Sequence, residues 1–332
     1  MPTSVRDFGI LFRAQTAAVE VGLFALAGWL GGAPWIWLPY FVLLGVLEHF
    51  GAFGENSVSD YEYDKKQAAL TGDKADHPLI AGRMTFGEAW VAVGLCQAIS
   101  VAMFVYLVGL RHTTWTLLPF LLFIALGFYY NHRGKENKLA AGLSIALSYG
   151  FLAFAVTAVW NGVVVWPLFL FVTSYVLAQI WGGGEWKELE AGHERNLLRA
   201  LGSKVEKGRM TTSTDVGLLI TFLVALKVLT ISLFLREWTW WWWVTVLLAV
   251  LVFGGYEAKL FRSGPYNRPK GMRLLGLGEA ASYLLLPIAL FWSMPIWFFL
   301  YLIIAPVVWF VGFNRSLYVQ KGTSKSSFAP GV

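Results

Sequence analysis

Length, composition and charge together exclude a soluble globular protein. The chain has 332 residues, of which 57% are hydrophobic and 14% charged, and its mean hydropathy is +0.59. This composition is typical of a polytopic membrane protein. A formal net charge of +6 also suits nucleic-acid binding, but the placement of the basic residues argues against that class.

Apolar stretches long enough to cross a bilayer, about 20 residues each, recur along the chain. They lie at 14–32, 35–55, 86–109, 113–130, 139–160, 164–183, 214–235, 239–256, 275–292 and 296–313. The sequence therefore predicts an all-α polytopic membrane protein with ten spans.

The basic residues fall in alternate loops. All but three of the 26 Lys and Arg residues lie in segments 1–13, 64–85, 131–139, 184–212, 258–274 and 314–332. The short loops between them carry tryptophans, including Trp115 and Trp240, as expected at a membrane interface. The charged loops and both termini are therefore predicted to face the cytoplasm, and no nucleic-acid partner is expected.

A polar motif closes the second apolar stretch, where Asn56, Asp60 and Asp64 follow one another at steps of four. Residues four apart share a face of a helix, so these side chains are predicted to stack at a helix end. Glu48 is predicted to extend the row into the membrane. Oxygen ligands of this kind, with substrate phosphates completing the shell, describe a Mg²⁺ site. The alternative is a solvated helix end with scattered charge.

The stretch Asn56–Asp64 resembles the first aspartate-rich motif of the UbiA-type intramembrane prenyltransferases. The following Asp76–Arg83 is similar to that family's D-R-P-L-x-x-G-R loop, with His77 where the family usually has arginine. The resemblance implies a UbiA-like fold of nine helices around a central lipid-accessible cavity. Nine or ten transmembrane helices are thus expected.

A second acidic stretch ends the sixth apolar run. Residues 184–192 resemble the family's second motif, G-D-x-x-D-x-E-G-D, with Glu185 and Glu188 at two aspartate positions and Gly192 at the last carboxylate position. Glutamate moves its carboxylate outward by one methylene, so metal binding on this side is expected to be weaker, displaced or lost. A charged interfacial helix end is the alternative.

The resemblance implies roles for individual residues. Mg²⁺ is expected on Asn56, Asp60, Asp64, Glu185 and Glu188. The residues expected to hold the substrate diphosphate are Arg13, Lys65, His77, Arg83, Lys138 and Arg195. Asp60 and Asp64 are expected to be catalytic, together with Glu48, which could orient an acceptor or take its proton. An interfacial anchor is the alternative for Arg13, and a paired structural carboxylate is the alternative for Glu48.

These features predict a Mg²⁺-dependent membrane enzyme with its active site at the cytoplasmic face. Its partners would be an isoprenyl diphosphate, a lipophilic or aromatic acceptor that receives the prenyl group, and membrane lipid. A terpene cyclase of the same family, which needs no acceptor, is one alternative. A transporter or lipid-binding membrane protein is another, disfavoured because the carboxylates cluster at helix ends on one side.

The predicted domain organisation is a single transmembrane domain, 1–313, followed by a cytoplasmic tail, 314–332, expected to be disordered. Similar loops after the fourth and eighth spans indicate a weak internal repeat of 1–130 and 131–257. Lys227, alone in mid-span, receives no predicted role.

Overall fold

The computed structural model of this chain describes residues 3–71, 75–134, 137–190, 196–234 and 240–319. Its α-helices are α1 (Val5–Leu11), α2 (Ala18–Leu30), α3 (Leu38–Ser59), α4 (Tyr61–Thr71), α5 (Phe86–Arg111), α6 (Leu117–His132), α7 (Lys138–Asn161), α8 (Trp166–Ala178), α9 (Glu185–Glu188), α10 (Leu197–Ala200), α11 (Thr214–Ser232), α12 (Trp240–Ala249), α13 (Gly255–Leu260), α14 (Arg268–Ala289) and α15 (Ile296–Asn314). Short 3₁₀ turns lie at Ala14–Ala17, Trp35–Trp37, Thr114–Thr116 and Phe291–Ser293, and π-helical turns at Gln179–Gly184, Val250–Gly254 and Arg315–Val319. The prediction of an all-α polytopic protein is confirmed.

The spans agree with the hydropathy pattern. Within the described ranges, nine helices are long and apolar enough to cross a membrane. A tenth is added if the pair Val5–Leu11 and Ala14–Leu30, bent by 66°, forms one span. The bend lies at Arg13, whose φ of 48° is left-handed and costs an L-residue roughly 1–2 kcal/mol. The first predicted span is therefore the second arm of a broken helix.

Polar residues mark several helix starts, which explains why the helices begin where they do. At the start of α5, Thr85 and Glu88 form a capping box: Glu88 N donates to Thr85 Oγ1 at 3.2 Å, and Thr85 N donates to Glu88 Oε2 at 2.7 Å. Ser213 caps α11 and Asn267 caps α14 with a side-chain oxygen alone, which accepts from Val216 N and Lys270 N respectively. Because such caps satisfy otherwise unpaired N–H groups, they fix where the preceding loops end.

A small antiparallel sheet, which the sequence analysis did not predict, is formed by the loop before α11 and the loop between α13 and α14. Its strands β1 (Lys204–Glu206), β2 (Arg209–Thr211) and β3 (Gly264–Pro265) pair in the order β1-β2-β3. The turn between β1 and β2 places Lys207 and Gly208 at φ of 49° and 69°. Positive φ at both central residues matches the twist of the flanking strands.

The described residues form two compact units. The first contains 3–119, 155–164 and 300–319, and the second contains 120–154 and 165–299. In the first unit, α3 packs against α2 and α5; in the second, α8 packs against α11, and α12 against α14. The motif at Asn56–Asp64 belongs to the first unit and Glu185 and Glu188 to the second.

Candidate active site

The first acidic motif lies where α3 gives way to α4. Asp60 separates the two helices, with φ −86° and ψ 0°. Two backbone hydrogen bonds of helical spacing involve Asp60: Asp60 N donates to Asn56 O at 3.0 Å, and Asp64 N donates to Asp60 O at 2.8 Å. The three polar residues of the motif thus stay one helical turn apart.

The donor atoms of this motif suit a hard cation. Asp64 is 3% exposed, while Asn56 and Asp60 are half-buried. In the part of the chain that the structure describes, no group of three or more His, Cys, Asp and Glu side chains could hold a metal ion by itself. Mg²⁺ needs only one or two protein carboxylates when substrate phosphates supply further oxygens. Two carboxylates and an amide oxygen therefore fit Mg²⁺ in the presence of a diphosphate.

Glu48 lies on the stripe of α3 that faces α5. A Cβ placed on Gly51 would lie 2.8 Å from the side chain of Gln97 in α5, and Gln97 Nε2 donates to Glu55 Oε2 at 2.8 Å. Glu48 is three residues before Gly51 and seven before Glu55, so all three face α5. Eight residues turn an α-helix about 80° past two full turns. Glu48 is therefore offset from Asn56 by about 80° towards α5, the same angle that separates Asn56 from Asp64, and its expected place in the row stays a prediction.

The surroundings of Glu48 still permit a chemical role. The residue is 6% exposed, and Ser100 of α5 is its hydrogen-bonding neighbour. Its Oε1 atom has no hydrogen-bond partner among the described residues. Leaving a buried carboxylate oxygen without a hydrogen-bond donor costs free energy. The role of Glu48 in binding an acceptor stays a prediction.

A buried pair that the sequence analysis did not single out lies near Arg13. His49 Nδ1 is 2.9 Å from Glu20 Oε1, and His49 Nε2 is 3.1 Å from Thr16 Oγ1. The His49 ring stacks on Phe53 at 4.2 Å, and the guanidinium carbon of Arg13 lies 5.4 Å from the centroid of that same ring. The sequence signals for this pair were an acidic residue within the first apolar stretch and a histidine within the second.

Arg83, a predicted diphosphate ligand, also joins two parts of the first unit. Its Nε donates to Asp7 Oδ1 at 2.8 Å, and its Nη1 and Nη2 donate to the Oδ1 and main-chain O atoms of Asp76 at 3.0 and 2.7 Å. Burial alone would lower the pKa of Arg83, but the hydrogen bonds to Asp7 and the charge of Asp76 more than offset this and raise it. Arg83 thus fastens α1 to the loop after α4.

The other predicted diphosphate ligands are less well defined. Lys65 is exposed on α4, with Nζ 5.5 Å from the centroid of the Tyr61 ring. His77 is half-buried in the loop between α4 and α5. Arg195 and the side chain of Lys138 lie outside the described residues.

The second acidic motif has a structural function in the second unit. Leu197 N donates to Glu185 Oε2, and Asn196 Nδ2 donates to Glu185 O at 2.6 Å. Asn196 is the N-cap of α10, where its Oδ1 accepts from Arg199 N at 3.0 Å. The carboxylate of Glu185 therefore helps to cap a helix start, whereas Glu188 is half-buried at the end of α9.

The fold and both motifs can now be compared with known proteins. The model of the UbiA prenyltransferase family matches residues 18–275. The chain belongs to this family. The match contains both acidic motifs of this UbiA-family protein. No curated protein and no solved structure matches the chain.

Membership in the UbiA family and the spanning helices establish two points. The protein is an integral, multi-pass membrane protein, and its activity at the level of the family is that of an intramembrane prenyltransferase.

Proposed function

We propose that this UbiA-family protein ionises an isoprenyl diphosphate in a Mg²⁺-dependent reaction at the cytoplasmic face. The prenyl group is transferred to a lipophilic or aromatic acceptor within the membrane. The observation that supports this proposal is the pair of backbone hydrogen bonds, Asp60 N to Asn56 O and Asp64 N to Asp60 O, that keeps these three residues one turn apart at the end of a spanning helix. That arrangement offers three oxygen donors where the chain leaves the bilayer.

The first motif is the proposed metal and diphosphate site. Asp60 and Asp64 hold Mg²⁺ through their carboxylates, and Asn56 does so through its amide oxygen. When bound, the metal neutralises charge on the diphosphate and makes it a better leaving group. In the second unit, Glu185 and Glu188 contribute less, since Glu185 already accepts a hydrogen bond from the main chain.

Cationic side chains complete the neutralisation of the diphosphate. Arginine binds phosphate oxygens in a bidentate manner and lysine binds them as a point charge. Lys65 follows the motif directly, and Arg83 lies in the next loop. The remaining predicted ligands are Arg13, His77, Lys138 and Arg195. As the C–O bond breaks, its electron pair leaves with the diphosphate, and an allylic cation remains for capture.

Capture of the allylic cation requires a nucleophile and a group that takes the proton that the nucleophile loses. The acceptor forms a bond to the cationic carbon and then loses one proton. Glu48, buried within a spanning helix, is the proposed group that orients the acceptor or takes this proton.

Product analysis tests transfer against the two alternatives. The purified protein is incubated with farnesyl or geranylgeranyl diphosphate and Mg²⁺ but no acceptor, and pyrophosphate and extracted hydrocarbons are measured. We expect only slow hydrolysis, accelerated when membrane lipid or quinone precursors are added. A cyclic terpene formed over many turnovers would show a cyclase instead, and the absence of pyrophosphate release under every condition would indicate a carrier.

A further inference from the structure

Helix α1 precedes the part of the chain that matches the family. The match begins at residue 18, whereas α1 spans Val5–Leu11, so membership in the family assigns this helix no role. Two of its residues nevertheless contact the proposed diphosphate site. Asp7 pairs with Arg83, and Leu11 accepts a hydrogen bond from Ser57. Helix α1 thus connects two parts of that site.

The end of α1 is fixed to α3 beside the first acidic motif. Ser57 Oγ donates to Leu11 O at 3.0 Å, and Ser57 is 2% exposed. Leu11 O belongs to the last turn of α1, where carbonyl groups lack partners within the helix. Ser57 follows Asn56 directly, and Leu11 and Val58 belong to the same buried apolar cluster. These contacts tie the position of α1 to that of the first acidic motif.

The start of α1 is fixed to the loop between α4 and α5. Arg83 Nε donates to Asp7 Oδ1 at 2.8 Å. The other oxygen, Asp7 Oδ2, accepts from Ser4 N at 3.2 Å and from Ser4 Oγ at 2.6 Å. One oxygen of Asp7 therefore serves the loop and the other serves the cap of α1. Asparagine has a single side-chain oxygen, so it cannot accept on both sides.

Asp7 is the more buried of the two acidic partners of Arg83. Its side chain is 5% exposed, whereas that of Asp76 is 64% exposed. Water screens an exposed ion pair more than a buried one, so Asp7 contributes more to the orientation of Arg83. The bonds to Asp7 and Asp76 use three of the five N–H groups of a guanidinium. Two N–H groups are thus left to contact phosphate oxygens.

A third contact holds α1 against the turn that follows α15. Arg6 Nε donates to Leu317 O at 2.8 Å. A Cβ added to Gly9 would lie 2.7 Å from Leu317 Cδ2, so the two segments approach closely at this glycine. Ile10 and Leu317 also share a buried apolar cluster. Helix α1 is therefore held on three sides within the first unit.

We propose that Asp7 is a positioning residue that, through α1, holds the guanidinium of Arg83 in place relative to the first acidic motif before the diphosphate binds. An arginine side chain has much rotamer freedom, and its immobilisation when a ligand binds costs free energy. An arginine that is already held in place avoids this cost, so the diphosphate binds more tightly. This inference rests on the proposed function, in which Arg83 contacts the diphosphate.

Binding of a substrate analogue tests the proposal without the need for turnover. The probe is farnesyl thiodiphosphate, in which sulfur replaces the oxygen that breaks from the prenyl carbon. Its Kd for the full-length protein in phosphatidylcholine nanodiscs is measured with Mg²⁺ by equilibrium dialysis, and binding to empty nanodiscs is subtracted. Salt at about 0.15 M screens the long-range effect of removing one charge. We expect Asp7→Asn to raise Kd about fivefold.

A double-mutant cycle separates positioning from support of the fold. If Asp7 acts through Arg83, the Asp7→Asn change should alter Kd by less than about twofold in an Arg83→Ala background. Ser4→Ala is the matched control, because it removes the cap of α1 and leaves the pair between Asp7 and Arg83. This control should lower the melting temperature and change Kd by less than about twofold.

A second variant keeps the cap and the charge of Asp7. Asp7→Glu preserves the capping box with Ser4, since glutamate is the usual partner in that motif, but moves the carboxylate outward by one methylene. We expect Kd to rise about threefold with an unchanged melting temperature. This variant decides the matter if Asp7→Asn does not fold.

Each outcome has a defined meaning. Unchanged or tighter binding in Asp7→Asn, wild-type affinity in Asp7→Glu, or a further fivefold loss in the Arg83→Ala background would overturn the proposal. Equal losses in Ser4→Ala and Asp7→Asn would also overturn it, in favour of a role in capping alone.

Pyrophosphate release from farnesyl diphosphate separates this proposal from the proposed function. Binding that depends on Asp7, in a protein that releases no pyrophosphate, would support the positioning role and contradict prenyl transfer. Pyrophosphate release by a protein whose Kd is insensitive to Asp7 would do the reverse. A wild type that does not bind the analogue would overturn the positioning role.

Discussion

The two acidic motifs have similar sequences but lie differently in their helices. At the first, Asp60 is the C-cap of α3, and Asp60 N donates to Asn56 O while Asp64 N donates to Asp60 O, so the three polar residues stay one helical turn apart. At the second, the carboxylate of Glu185 accepts a hydrogen bond from Leu197 N and supports the start of α10. The comparison teaches that replacing aspartate with glutamate does more than move a metal ligand outward. The longer glutamate side chain can also accept a hydrogen bond from a main-chain N–H group.

The largest expected effect follows from removing charge at the first motif. Asp60→Asn or Asp64→Asn should reduce pyrophosphate release about 100-fold or more, because several kcal/mol of charge stabilisation are lost. Thermal unfolding should change little, since asparagine preserves size. Pyrophosphate release and the melting temperature are measured for each variant, with excess chelator added to the wild type as a parallel test. Near wild-type turnover in either variant, or full activity in chelator, would contradict the metal assignment.

The next effect concerns stability at the second motif. Glu185→Ala removes a helix-capping acceptor and should lower the free energy of unfolding by about 1 kcal/mol, while activity falls less than in the Asp60 variant. Glu185→Gln keeps an acceptor oxygen and is the matched control, expected to recover most of the stability. Loss of activity in both variants with no change in stability would show that Glu185 is mainly a metal ligand.

An effect on substrate binding is expected in the loop after the first motif. Arg83→Ala should raise the KM for the prenyl diphosphate about tenfold, roughly the loss of one charged hydrogen bond. Asp76→Asn weakens the contact between Arg83 and its own loop but leaves the guanidinium in place, so KM should change less than about threefold. Equal changes in both variants would mean that Arg83 acts through the fold of the loop and not through the diphosphate.

The smallest effect is expected at Glu48. Glu48→Gln should lower transfer to an acceptor several-fold and leave acceptor-free pyrophosphate release unchanged, because the residue serves the acceptor and not the diphosphate. Glu55→Gln, on the same α5-facing stripe, is the control and should spare both rates. An equal loss of both rates in Glu48→Gln would assign Glu48 to packing.

Features with a local signature could be predicted from the sequence. Each apolar stretch corresponds to a helix, because hydropathy over about 20 residues suffices to identify a span. The spacing of Asn56, Asp60 and Asp64 follows from helix periodicity alone. The strands at Lys204–Glu206 and Arg209–Thr211 were missed because three residues are too few for alternation between polar and apolar residues to identify a strand.

Contacts between residues distant in sequence could not be predicted in this way. Glu185 reaches a main-chain group beyond the end of its own helix, and Lys227 meets Glu257, 30 residues away. The position of Glu48 relative to Asn56 could not be fixed from spacing alone, because steps of four drift by about 40° per step around a helix with 3.6 residues per turn.

The most direct test of the first motif as the main metal site is a Mg²⁺ titration of pyrophosphate release in nanodiscs. Asp64→Asn and Glu188→Gln each remove one carboxylate charge while preserving size, one from each motif. We expect Asp64→Asn to stay inactive at every Mg²⁺ concentration, and Glu188→Gln to reach the wild-type rate at a higher concentration than the wild type needs. An inactive Glu188→Gln together with an Asp64→Asn that is rescued by added Mg²⁺ would contradict the account.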